Sequence, residues 1–219
     1  MKILESLKNM LPSTPVVDPS RFDDPLAMQT EWKPLKSGGT NFQTHRLVIE
    51  SGDRVAFKPS MGAYLFAGIF TVVGIGVSVI FLTAQPNQPE EVSPFLKIIP
   101  VFIGLFFASF GFLMIRAVVK PIVFDRRKRY YWKGKHAPDE VFDQKEVKEF
   151  AAFDDIHAVQ LLSEYVSGQK SSYYSYEMNL VLKDGNRLNV IDHGSRTRIQ
   201  RDAAKIAAFI GCPLWDGVG

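Results

Sequence analysis

The chain has 219 residues, a net charge of +3 and a single cysteine, Cys212. That leaves room for one or two domains and excludes both an intramolecular disulfide and a cysteine-built metal cluster. The mean hydropathy of −0.01 would suit a soluble protein, but the average hides the distribution, because residues 61–84 and 98–115 carry no charge at all.

Taken in chain order, the first eleven residues carry an apolar stripe of Ile3, Leu4, Leu7, Met10 and Leu11, with Lys2 and Lys8 among the polar positions. A short amphipathic helix there has two uses, lying on a membrane surface or packing on a domain, and the sequence leaves both open. Pro12 and Pro15 then begin a linker that extends to about residue 40. Within it, Ser37-Gly38-Gly39-Thr40 follows Lys36. A phosphate-cradling loop needs a helix start and a Lys-Ser or Lys-Thr pair after its glycines. Here that pair precedes them and the chain leads into a strand, so the stretch reads as a flexible loop. Residues 46–50 and 54–58 flank Ser51-Gly52-Asp53, a strand–turn–strand signal that predicts a hairpin over residues 41–60.

Residues 61–84 and 98–119 are predicted transmembrane helices, since about 20 apolar residues at 1.5 Å each span the hydrocarbon core. Neither reads as a signal peptide: some 60 mostly polar residues precede the first, and no small-residue cleavage pattern stands at the N-terminus. The connection, residues 85–97, holds Glu90 and Glu91 and no Lys or Arg before Lys97, which can snorkel to the interface. Arg54, Lys58, Arg116 and Lys120 flank the outer ends, so both termini are expected inside and the loop outside. Gly74 and Ser78 lie four apart, as do Gly104 and Ala108. Such spacing lets helix backbones approach closely, whether to pack the hairpin against itself, to dimerise or to dock on another membrane protein. No ionisable residue sits deep in either span, which argues against a transporter working alone.

A basic segment follows, with Arg126, Arg127, Lys128 and Arg129 consecutive and Asp125 the one acid nearby. These four are candidate contacts for lipid headgroups, or else they serve only to orient the hairpin. Strands are predicted at 121–125, 129–133, 156–166 and 176–182, with a return strand through Leu188, Val190 and Ile191 after the turn Lys183-Asp184-Gly185-Asn186. In the fourth of these, Tyr176, Met178, Leu180 and Leu182 alternate with Glu177, Asn179 and Val181, the period of a strand with one buried face. Ile199, Ala203, Ile206, Ala207 and Ile210 mark one face of a closing helix. Thr197 with Gln200 fits a capping box, Ser195 is a competing cap, and Gly211 with Pro213 ends it.

Seven strands and a C-terminal helix are thus expected. The five strands after the second span would leave an open edge unless the two before the first span complete the sheet. The whole is a membrane α-helical hairpin plus an α+β cytoplasmic domain, with the hairpin inserted between strands two and three. The plan resembles pleckstrin-homology-like domains. Residues 123–134 (Val-Phe-Asp-Arg-Arg-Lys-Arg-Tyr-Tyr-Trp-Lys-Gly), residues 176–185 and the ending Gly211-Cys212-Pro213-Leu214-Trp215 resemble bacterial inner-membrane proteins bearing such a domain after two membrane helices. The resemblance covers about residues 45–219. It implies a pleckstrin-homology-like antiparallel barrel or sheet in the bacterial inner membrane and carries no catalytic residue across.

The residues themselves supply no catalytic signature. His45, His136, His157 and His193 are dispersed, Asp154-Asp155 reads as a solvated turn, and Ser163, Ser167, Ser171 and Ser172 lack a nucleophile elbow. No cofactor, metal or nucleic acid is expected. The expected partners are the lipid bilayer and a protein, which can itself lie in the membrane, with homo-oligomerisation open. The function expected is a non-enzymatic, membrane-anchored binding or scaffold module that regulates a membrane complex or confers immunity. The alternative is an anionic-lipid-dependent signalling or remodelling protein.

Overall fold

The computed structural model describes residues 13–83, 93–118, 120–141, 147, 149–168 and 171–219. The amphipathic segment of residues 1–11 and most of the loop between the apolar helices lie outside the described residues. The chain divides into two compact units, residues 58–120 and the remainder on either side of them.

The larger unit is α+β. One sheet holds β1 (His45–Ser51), β2 (Arg54–Pro59), β3 (Ile122–Asp125), β4 (Tyr130–Lys133) and β5 (Phe150–Ala152) in chain order. The second orders β8 (Arg187–His193), β7 (Ser172–Leu182), β6 (Ile156–Ser167) and β9 (Leu214–Asp216). β2 and β3 pair antiparallel from Arg54↔Asp125 to Phe57↔Ile122, so the apolar helices are inserted between adjacent strands. β5 and β9 were not predicted, since three-residue strands are too short to show a period. β9 pairs parallel with β6, so the second sheet is mixed.

The main core lies between the inner faces of both sheets and one helix. Phe57, Phe124 and Tyr131 meet Leu161, Met178 and Leu180, closed by Ile199, Ala203 and Ile206. These last belong to a C-terminal helix, Arg196–Ile210, that starts at Ser195, without a side-chain cap bond, and ends at Gly211 with φ 87°. The expected capping box at Thr197 is therefore not the start. Gly211 suits the left-handed end because it has no Cβ.

Residues 13–44 correct the expectation of a linker. They form a strap across the outer face of the second sheet, with a short 3-10 helix at Pro19–Phe22 and helix α1 at Pro25–Gln29. Asp18 and Asp24 cap these through Ser20 N–H and Leu26 N–H. Phe22 stacks on Trp32 at 4.9 Å, and both approach Trp215. The strap thereby buries Ala158, Val181 and Trp215.

The smaller unit is an antiparallel pair, α2 (Met61–Thr83) and α3 (Pro94–Val118), joined by a short connection. With α1 to α3 so placed, the C-terminal helix is α4. Both α2 and α3 are long and apolar enough to cross a membrane, and only 17% and 22% of their apolar windows are buried.

Candidate functional site

The β3–β4 turn gathers the four basic residues. Asp125 folds its carboxylate back, so Oδ1 accepts the N–H of Arg127 at 2.9 Å and of Lys128 at 3.0 Å. Arg129 closes the turn at φ 57°, which is why β4 begins at Tyr130 and not at residue 129 as expected. Each of the four side chains takes a partner from elsewhere in the chain. Arg126 donates to the carbonyls of Phe209 (2.8 Å) and Ala208 (3.3 Å) and stacks 4.3 Å from the Phe209 ring, covering orphan carbonyls at the end of α4. Arg127 pairs with Asp53 at 2.7 Å, and Lys128 with Asp139 at 2.7 Å and Glu140 at 3.0 Å. Arg129 pairs with Asp154 at 2.5 Å. Asp154 holds the Arg129 guanidinium above its ordinary range, and Asp139 with Glu140 does the same for the Lys128 ammonium.

The register also places this turn. Asp125 stands opposite Arg54 at one end of the β2–β3 ladder, and Phe57 and Ile122 pair at the other. Three residue steps, about 10 Å, separate the two ends.

Beside the turn is an open groove of about 330 Å³, lined by Arg129, Asp154, His157, Lys183 and Cys212 together with Ile156 and Ile210. His157 Nε2 lies 2.7 Å from Asp24 Oδ2. Burial raises the Asp24 carboxyl, but the bonds to His157 and Leu26 N–H together outweigh it and hold the carboxyl below its usual range. Burial pushes the Cys212 thiol up to about 11, so at neutral pH it is a thiol and a poor nucleophile. Among the described residues no three of His, Cys, Asp and Glu converge as metal ligands. His193 is buried and turned inward, where its Nδ1 accepts Ser195 N–H at 2.8 Å.

A second polar assembly, invisible as such in the sequence, lies beneath the strap. Glu177 is 4% exposed and Asn179 fully buried, so the polar alternates of β7 do not face water. The Glu177 carboxylate accepts Leu35 N–H at 2.9 Å and Lys36 N–H at 3.1 Å. Glu164 accepts both Gly38 and Gly39 N–H, so the glycine loop cradles a carboxylate of its own chain. Arg187 donates to Lys33 O at 2.8 Å and Gln160 Oε1 at 3.2 Å. Burial, then the Glu177 charge, holds the Asp192 carboxyl above its ordinary range. The available signal was Phe22 and Trp32, large apolar side chains that a solvated linker has no use for.

In the smaller unit, the four small residues meet. A Cβ on Gly74 would run into Ala108 N and Gly104 O, and one on Gly104 into Ser78 Oγ and the Gly74 carbonyl. Ser78 Oγ donates to Gly74 O at 2.9 Å and reaches across to Val101 O at 3.1 Å. Gly111 makes a third close approach, at Ala67 and Thr71.

Compared with protein-family models, curated proteins and solved structures, the chain matches none.

Proposed function

We propose that this chain anchors a binding domain at the cytoplasmic face of the bacterial inner membrane, and that the domain acts by holding a protein partner. The observation that carries this is the outward apolar surface of α2 and α3. Their small residues face each other, while Leu65, Ile69, Val72, Phe102 and Phe106 are exposed. Apolar surface on that scale is suited to lipid and not to water. Arg54, Lys58, Arg116 and Lys120 at the outer ends favour both termini inside.

The two sheets closed by α4 support a pleckstrin-homology-like plan, from which β5, β9 and the strap depart as additions. A rigid domain tethered through two adjacent strands suits presentation of a surface, and regulation of a membrane complex and immunity against a toxin are two forms of that role. Recognition of anionic headgroups by residues 126–129 has less support, since all four side chains are engaged within the domain.

Two measurements test the reading. Cysteine at Asn87 in a Cys212→Ser background should react with an impermeant thiol reagent in intact cells, and labelling only after lysis would overturn the orientation. Purification of the full chain in mild detergent should retain a stoichiometric protein partner. Recovery of the chain with lipid alone would favour the headgroup reading.

A further inference from the structure

Among the described residues the two sheets have four edges, and β1 alone is both long and largely exposed at its sheet edge. β5 and β9 have three residues each. β8 has seven, but its Asn189, Val190 and Ile191 are buried, and its carbonyls at Asn189 and Asp192 accept bonds from Tyr131 and Thr40. β1 also has seven residues and pairs on one side only, with β2. It contains no proline, and no charge points into the core from it. Leu47 packs against the main core. Ile49 falls on the same face by the strand period, yet is 65% exposed. An exposed edge of this kind is a template for another strand.

The sequence of β1 fits its own reverse. We propose that β1 is the seam of a homodimer, two copies pairing antiparallel about a two-fold axis through Val48. A two-fold that keeps each face of the sheet on its own side makes the paired residue numbers sum to an even value. Centring on Val48 is the register that engages all seven residues. It sets Arg46 opposite Glu50 of the second copy and Leu47 opposite Ile49. Opposite charges then meet on one face, and on the other the exposed Ile49 is covered by a residue continuous with the core. Cross-strand pairs of both kinds stabilise sheets, and a self-complementary patch is what a two-fold interface requires. Glu50 already contacts Arg54 at 2.8 Å within its own chain, so the cross-dimer pairing makes Glu50 a bridge between two arginines. The pairing is argued from residues of the β domain alone.

The test is disulfide crosslinking of the full-length Cys212→Ser protein, in native membranes and in detergent. Directly opposed residues in antiparallel strands have Cα atoms about 4.5–5.5 Å apart, within disulfide reach, whereas a two-residue offset takes them beyond about 7 Å. Val48→Cys should therefore give at least several-fold more oxidised dimer than Leu47→Cys or Ile49→Cys. Arg46→Cys and Glu50→Cys, both at exposed positions that leave the core untouched, should link to each other when co-expressed and not when expressed singly. Two copies in one bilayer need their two-fold along the membrane normal, so linkage in membranes is the decisive arm. Equal linkage at residues 47, 48 and 49, linkage in detergent only, or a wild-type chain of monomeric mass in lipid nanodiscs would each overturn the proposal.

Discussion

Phe57 and Ile122 stand opposite one another in the β2–β3 ladder, although both long apolar helices separate them in the chain. Phe57 is 2% exposed and Ile122 5%, and both belong to the main core. The domain is therefore completed by strands from before and after the insertion. Neither piece buries its apolar surface alone.

The first prediction follows from that pairing. Residues 121–219 expressed alone expose the β3 edge and lose Val55 and Phe57 from the core, and they should aggregate or bind hydrophobic dyes. Joining residues 13–57 to residue 121 through a short Gly-Ser linker should restore solubility and a cooperative thermal transition. A well-folded 121–219 fragment that gains nothing from the addition would contradict the shared core.

The strap makes a second prediction. Glu177 accepts two strap N–H groups and the Asn179 amide, Nδ2 to Oε1 at 2.6 Å. Glu177→Ala leaves those buried donors unpaired, at a cost of about 2–3 kcal/mol. Thermal unfolding should fall accordingly, and limited proteolysis should cut between residues 31 and 40 sooner than in the wild type. Glu177→Gln should lie between the two, because an amide oxygen can still accept while its NH₂ faces other donors.

Much of this architecture was legible. Long charge-free runs identify the apolar helices without tertiary information, and the strand–turn–strand at residues 46–58 shows through β-branched residues around Gly52. The strap was not legible, because its function depends on contacts far away in sequence. Glu177 and Asn179 alternate with Met178 and Leu180 just as solvent-facing residues do, and only the covering segment turns that polar face into an interior. The partners of the basic turn were hidden for the same reason. Its local sequence offers Asp125 as the one acid, whereas Asp53, Asp139, Glu140 and Asp154 arrive through the fold.

A pH prediction concerns Asp192. Burial and the nearby Glu177 raise its carboxyl in the folded state, so folding disfavours the ionised form. That penalty is full above the raised folded value. It is relieved as pH falls through that value toward the usual Asp titration of the unfolded chain. Asp192→Asn removes the penalty, so the variant should melt a few degrees above the wild type at about pH 7.5, with the gain shrinking by about pH 4.5. Groups such as Asp24, whose lowered carboxyl makes stability fall in acid, are common to both proteins and cancel. A gain that grows on acidification would refute the assignment.

The helix pair offers a comparison with an internal control. A Cβ at Gly104 would meet the Gly74 carbonyl oxygen at 2.6 Å, while one at Gly76 meets nothing within 4 Å. Gly104→Val should force the backbones apart and destabilise the pair by about 1–3 kcal/mol, read by denaturation in mixed detergent micelles. Gly76→Val should be close to neutral, and equal effects at the two sites would mean the close approach is not what holds the helices.

The last prediction separates two uses of the basic turn. If its cations serve the fold, their single losses should differ according to what each one touches. Arg126 binds the Phe209 and Ala208 carbonyls and stacks on Phe209, so Arg126→Ala should cost about 1 kcal/mol through the exposed end of α4. Arg127 keeps 82% of its side chain exposed beside Asp53, and a surface pair of that kind contributes little, so Arg127→Ala should leave the melting temperature unchanged. If the turn instead reads headgroups, Arg127 is the side chain most available to them, and the ranking reverses in a binding assay. The domain carrying residues 13–57 joined to 121–219 is mixed with vesicles with and without anionic lipid, at low and high salt. Its own acids already answer these cations, so the wild-type domain should show weak association that the Arg127→Ala change does not alter. Salt-sensitive binding that requires anionic lipid and is lost in Arg127→Ala would establish headgroup recognition at this turn.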